Sequence, residues 1–201
     1  MAITPEDHAR IAEAIRAAEA KTSGEIVCVL ARSSSEYHAA PVLAGALLAL
    51  IVPWALVFLT QWSVERILVA QIIVFVLATA LFALTPLGMM LVPRRIQRVR
   101  AHRAAMEQFH ARGVGRLEGR AGVLIYVSLA ERYARILADD QLASKVHASE
   151  WRAAIDALTA HMRHGRIADG FVAAIERCGA VLAQHAPGAP QGRLPDRIYV
   201  V

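Results

Sequence analysis

The sequence predicts an α/β protein, a small mixed sheet sandwiched by helices and interrupted by a two-helix transmembrane hairpin. Three observations carry this. Two apolar runs, 41–59 and 67–92, flank the only charged residues between positions 39 and 93, Glu65 and Arg66. Two short unbroken apolar runs rich in β-formers, 25–31 and 121–129, lie on either side of that insert. Amphipathic helical periodicity precedes the first short run and follows the second.

A transmembrane helix needs about 20 mostly apolar residues, and both long runs reach or nearly reach that length. Two crossings return the chain to the side it left. Residues 1–38 and 94–201 are therefore expected to share one compartment and build one discontinuous domain, with 39–93 as the hairpin. The two runs also explain the 56 % hydrophobic composition, which is high for a soluble domain. Met1–Asp7 is polar and acidic and unlike a signal peptide, so none is expected.

The first helix starts at Thr4, a good N-cap, with Pro5 at the first helical position and Asp7 at the third. Ile11, Ile15 and Ala18 form its apolar stripe. Residues 25–31 read as a strand buried on both faces, and 32–36 as a polar linker. Inside the hairpin, Pro53 is a kink candidate, and Gly45 with several alanines allows the crossings to pack. Residues 95–112 read as a basic helix with Val99, Met106, Phe109 and alanines on its apolar side, and 113–119 as a loop. Residues 121–129 form the second strand. Residues 132–138 form the third, paired to the second through a turn at Ala130 and Glu131, with Arg135 marking a wet face. Asp139 and Asp140 close that strand and open a short helix through Val146. Two amphipathic helices follow: 149–163 with Trp151, Ile155, Leu158 and Met162 on one side, and 167–184 with Phe171, Ile175, Cys178 and Leu182. Gly179 lies on the latter face, where it permits close packing. Residues 186–192 form a loop, and the apolar 197–201 docks onto the domain. A strand–helix–strand crossover makes 25–31 and 121–129 parallel neighbours, and the 121–138 hairpin adds an antiparallel one.

Charge sets the orientation. Arg94, Arg95, Arg98, Arg100 and Arg103 follow the second run, with no acid before Glu107. The positive-inside rule places both flanks, and hence both termini, in the cytoplasm, with the chain in the inner (plasma) membrane. The net charge of +5 does not call for nucleic acid. The arginine ridge abuts the expected lipid bilayer, and a nucleic-acid groove would interleave more aromatics than Phe109. Cys28 and Cys178, the only cysteines, belong to no CxxC pair and read as buried free thiols.

The stretches Thr22-Ser-Gly-Glu-Ile-Val, Arg120-Ala-Gly-Val-Leu-Ile-Tyr-Val-Ser-Leu-Ala-Glu-Arg132 and Ile136-Leu-Ala-Asp139 resemble the TPM domain family. Trp151, Gly165-Arg-Ile-Ala-Asp-Gly170 and Leu194-Pro195 are similar in placement. The likeness is to a bacterial branch with a membrane hairpin set inside the domain. It implies a compact α/β/α sandwich. It also implies a choice of activities: some members are described as acid phosphatases, some bind divalent metal, and others serve assembly or repair of membrane complexes. The family's third strand ends in an acidic loop of the type Ala-Asp-x-Gly. Here the stretch reads Ala138-Asp-Asp-Gln-Leu142, without glycine.

Candidate chemistry falls in a few places. Asp139, Asp140 and Asp169, with Glu25, are the candidate metal ligands, for Ca²⁺ or Mg²⁺, because hard cations take several oxygens and ligands favour strand ends. The competing reading has Asp139 and Asp169 capping helices. Ser128, Glu131 and Arg132 mark the strand turn, with Arg132 as an anion holder and Ser128 as a nucleophile, or simply a turn-stabilising hydroxyl and an Arg–Glu pair. His161 and His164 lack the further ligands a zinc site needs. Gly113, Gly115 and Gly119 precede a strand instead of following one, so no dinucleotide loop is read there. The crossings hold no ionisable residue, which argues against transport. The expected function is a membrane-anchored TPM-domain interaction or assembly module with a membrane-protein partner. The alternative is a divalent-metal-dependent phosphomonoester phosphatase, so enzymatic activity stays open.

Overall fold

A computed structural model describes residues 3–35, 39–85, 87–116, 121–190, 192 and 194–201. Parts of the 32–36 linker, the 113–119 loop and the 186–192 loop, together with Arg120, lie outside the described residues. The chain divides into two compact units, 1–34 with 98–201 and 35–97.

The first unit opens with α1 (Pro5–Glu19). Thr4 and Asp7 form the full reciprocal capping box, so two of the helix's orphan N–H groups find partners. Strand β1 (Glu25–Ala31) is buried at every position. After the insert comes a helix numbered α5 below, then a 3₁₀ turn at Val114–Arg116 and strands β2 (Gly122–Ser128) and β3 (Tyr133–Ala138).

The insert's own unit holds α2 (Ala39–Leu59), α3 (Val64–Leu84) and the short α4 (Leu87–Met90). Large apolar side chains such as Leu47, Ile51, Phe58, Leu77 and Leu84 stand exposed. That inverts a soluble core helix, and the two long helices are long and apolar enough to cross a membrane. They meet where Gly45 lacks a side chain: a Cβ there would collide with Thr79 Oγ1, the small-residue contact that lets apolar helices approach. The expected second crossing, 67–92, is cut short. Thr85 is extended (φ −113°, ψ 156°), because a residue preceding a proline disfavours the helical region. The turn between crossings is also shorter than expected, since Glu65 and Arg66 already belong to α3. The Glu65 carboxylate suits the positive end of that helix.

Helix α5 (Arg94–Ala111) buries Ala101, Ala105 and Phe109. Val99, expected on that face, is 63 % exposed, because the stripe that meets the sheet repeats every four residues from Ala101 and leaves Val99 to one side. Past β3 come α6 (Asp140–Lys145), α7 (Ala148–Met162) and α8 (Ile167–His185), then strand β4 (Ile198–Val200).

The sheet order is β3-β2-β1-β4. Strands β1 and β2 run parallel, with Cys28 opposite Ile125, and β3 runs antiparallel to β2, with Ile136 opposite Ile125. The docked C-terminus is itself a strand, parallel to β1 with Val29 opposite Tyr199. Arg112 caps its outer face, with its guanidinium 3.6 Å from the Tyr199 ring centre.

Alternation with period two divides the sheet's side chains between its faces. Ile26, Cys28, Leu30, Val123 and Ile125 pack with Ile15, Leu158, Phe171 and Ile175 of α1, α7 and α8. Val27, Val29, Leu124 and Tyr126 pack with Ala105 and Phe109 of α5. Covering both faces requires β1 and β2 to be apolar between their polar ends, Glu25 and Ser128, and each fully buried Ile, Leu or Phe stabilises by about 1.5–3 kcal/mol.

Candidate functional site

The carboxyl ends of β1 and β2 lie side by side, and the polar residues there converge. Glu131, 8 % exposed, is the hub. Its Oε1 accepts from the Ser34 backbone N–H at 2.9 Å and the Ser33 hydroxyl at 3.3 Å. Its Oε2 accepts from the Ser128 hydroxyl. Ser34 Oγ and the Tyr126 hydroxyl are 3.0 Å apart, and burial pushes the Tyr126 phenol above its ordinary pKa. A buried carboxylate with several donors is a satisfied group, and it ties the segment after β1 to the turn after β2.

The turn spans residues 129–132, two longer than expected. Arg132 N–H donates to Leu129 O at 3.2 Å, and Leu129 and Ala130 donate across to Ala31 and Arg32. Arg132 is the only non-glycine with positive φ among the described residues, at 49°. An L-residue with a Cβ is less stable there by about 1–2 kcal/mol. The Ser128 hydroxyl, at the start of this turn, is joined to the Glu131 carboxylate.

Beside this turn lies a cavity of about 650 Å³, reached by Ser128, Arg132, Tyr133, Thr159 and Arg163. Thr159 and Arg163 come from the last turn of α7 and its cap. Nothing in the sequence pattern singles them out, because packing of α7 against the sheet brings them to a turn some thirty residues earlier.

The expected acidic ligands lie on different elements. Asp139 ends β3 and caps α6, accepting from Gln141 N–H at 3.1 Å, and Asp140 is exposed in the first turn of α6. Asp169 sits in the first turn of α8, and its Oδ1 accepts from Arg10 of α1 at 2.6 Å. That hydrogen bond holds the Asp169 carboxyl below its usual pKa. Among the described residues no group of three or more His, Cys, Asp or Glu could hold a metal. Glu25 lies at the other end of β1 and accepts from Leu194 N–H at 3.1 Å. Near it, Glu19 accepts from Ile26 N–H at 2.7 Å. Burial pushes Glu19 up to about 8, opposed by that hydrogen bond and reinforced by Glu25 and Asp196. His161 Nδ1 lies 3.0 Å from Ala157 O within α7.

Helices on both faces of a mixed four-stranded sheet, with a polar turn beside a cavity at the strand ends, define an α/β sandwich whose site would lie at one edge. Residues 88–181 match the family model described as the TPM domain. Over that stretch, just under half of its length, the chain is similar to the TPM domain family. It is similar in fold to the NMR structure of the BA42 protein from the psychrophilic bacterium Bizionia argentinensis, with TM-score 0.62 and 21 % identity, over 100 % of this chain and 97 % of that one. No curated protein matches the sequence.

Proposed function

We propose that this TPM-domain protein is anchored in the inner membrane by α2 and α3 and acts at its cytoplasmic face as an interaction or assembly module. One observation carries the reading. The insert leaves the chain after β1 and returns before β2, strands that pair along their whole length, while its two long helices expose apolar side chains. A sheet pair formed by the two ends of an insert keeps both ends on one side of a bilayer. The arginines from Arg94 to Arg103 supply the orientation. Anionic headgroups and a membrane-protein partner are the expected neighbours.

A reporter fused after Trp62 is expected to read periplasmic, and one fused after Val201 cytoplasmic. A periplasmic C-terminal reporter overturns the orientation. Partner contact is tested by photocrosslinking from the domain surface in native membranes, where a reproducible crosslinked membrane protein supports the module reading.

The second reading, a phosphomonoester phosphatase using Ca²⁺ or Mg²⁺, rests on the adjacent carboxylates of Asp139 and Asp140 at the end of β3. It needs Asp169 to leave Arg10 if all three are to serve as ligands. Metal-dependent turnover abolished by Asp139→Ala would replace the interaction reading.

A further inference from the structure

We propose that the cavity beside the 129–132 turn binds a small organic oxyanion, a phosphate or carboxylate on a partly apolar body, gripped by Arg132 and Arg163. This inference does not depend on membrane anchoring or on metal chemistry.

Two arginines from separate elements, Arg132 of the turn and Arg163 at the cap of α7, line one cavity. The ion pairs among the described residues both belong to Arg10, with Asp7 and Asp169, and involve neither of these arginines. A guanidinium is a planar fork of donors matched to carboxylate and phosphate oxygens. Ser128 and Thr159 line the same space, together with Leu129 and Met162 as apolar lining residues. A volume of about 650 Å³ lies within the range of small-ligand pockets, about 300–1,000 Å³. It exceeds what a bare phosphate fills, hence the organic body.

The backbone points the same way. Arg132 holds a left-handed conformation (φ 49°) that glycine or asparagine adopts more readily. The Glu131 network with Ser33, Ser34 and Ser128 fixes the turn. A side chain kept in a disfavoured backbone region, at a cavity it lines, marks a functional position. The negative end of α7 works against an anion. Its last carbonyls are occupied, however: Thr159, His161 and Met162 accept from the backbone N–H groups of Arg163, His164, Gly165 and Arg166. Recognition alone is proposed, with no bond-breaking step.

The full chain in detergent micelles is titrated calorimetrically with phenyl phosphate, benzoate and inorganic phosphate. Saturable binding of phenyl phosphate or benzoate is expected, and the tighter of the two identifies the head group. Arg132→Gly is expected to weaken that binding at least tenfold while leaving the melting temperature unchanged or raised, because glycine suits the turn. Arg163→Gln is expected to weaken it similarly. No saturable binding of either aromatic probe at millimolar concentration overturns the proposal. So does binding indifferent to both substitutions. Inorganic phosphate binding as tightly as phenyl phosphate overturns the organic body.

Discussion

Glu19, at the last turn of α1, reaches the backbone N–H of Ile26 in β1, 2.7 Å from its Oε1. This contact ties the first helix to the first strand across the tight connection at Thr22 and Gly24. Gly24 has no alternative there, since a Cβ would lie 2.8 Å from Ala121 O.

The same carboxyl predicts how stability depends on pH. Burial raises Glu19 to about 8 from its ordinary 4.5. The native state then keeps a proton that the unfolded chain releases, so stability falls as pH rises through this window. The contribution is complete below about 4.5 and gone above about 8, and it amounts to the order of a few kcal/mol. Glu19→Gln keeps an oxygen for Ile26 and an N–H for Asp196 without a titrating proton. Denaturation midpoints of the variant should be flat between pH 5 and 8 where the parent declines, a window set by this shift. Parallel profiles would refute the assignment.

Gly179 of α8 meets α1 at Ala18. A Cβ on Gly179 would lie 2.7 Å from Ala18 Cβ and 3.2 Å from Ala18 Cα. Gly179→Ala should therefore destabilise the domain by about 1–3 kcal/mol, the cost of overpacking a filled interface. Adding Ala18→Gly removes the opposing methyl and should recover part of the loss. A double-mutant cycle by chemical denaturation measures the coupling, and additive effects would place the strain elsewhere.

What the sequence disclosed follows from the range of the interactions involved. Unbroken apolar runs revealed β1 and β2 because a strand covered on both faces has no polar side to hide. The α1 cap was legible because Thr4, Pro5 and Asp7 are neighbours. Strand β4 was not, because Ile198–Val200 is too short to show a period and its partner β1 lies at the far end of the chain. Val99 was assigned to the wrong side because α5 is so rich in alanine that its apolar stripe is hard to orient. Ser128, Glu131 and Arg132 were visible as a group, but Glu131 turned out to face Ser33 and Ser34 from the other side of the insert. Arg163 and Thr159 join the cavity only through packing of α7, which no local pattern encodes.

The capping box offers a local test. Thr4 Oγ1 accepts from Asp7 N–H at 3.2 Å, and Asp7 accepts from Thr4 N–H at 3.1 Å. The backbone N–H and the hydroxyl of Thr4, both donating to the Asp7 carboxylate, hold it below its usual pKa. Thr4→Ala should cost about 1 kcal/mol, read as a lower denaturation midpoint with an unchanged slope. Thr4→Ser should restore most of it. A null effect of the alanine variant would mean the first turn of α1 frays in solution.

The two cysteines predict a chemical behaviour that reports on the interface between sheet and helix. Cys28 in β1 and Cys178 in α8 are both fully buried in the same core. Burial raises both thiols, Cys178 to about 12 and Cys28 well above its ordinary value. The thiolate is the reactive form, so a maleimide at neutral pH should modify neither residue in the folded protein. In denaturant both should react at once. Modification under native conditions should then proceed only as fast as the domain opens, and mass spectrometry should find doubly labelled chains with few singly labelled ones. Rapid single labelling of Cys178 would show that α8 leaves the sheet without global unfolding, and rapid labelling of Cys28 that β1 is exposed when β4 detaches.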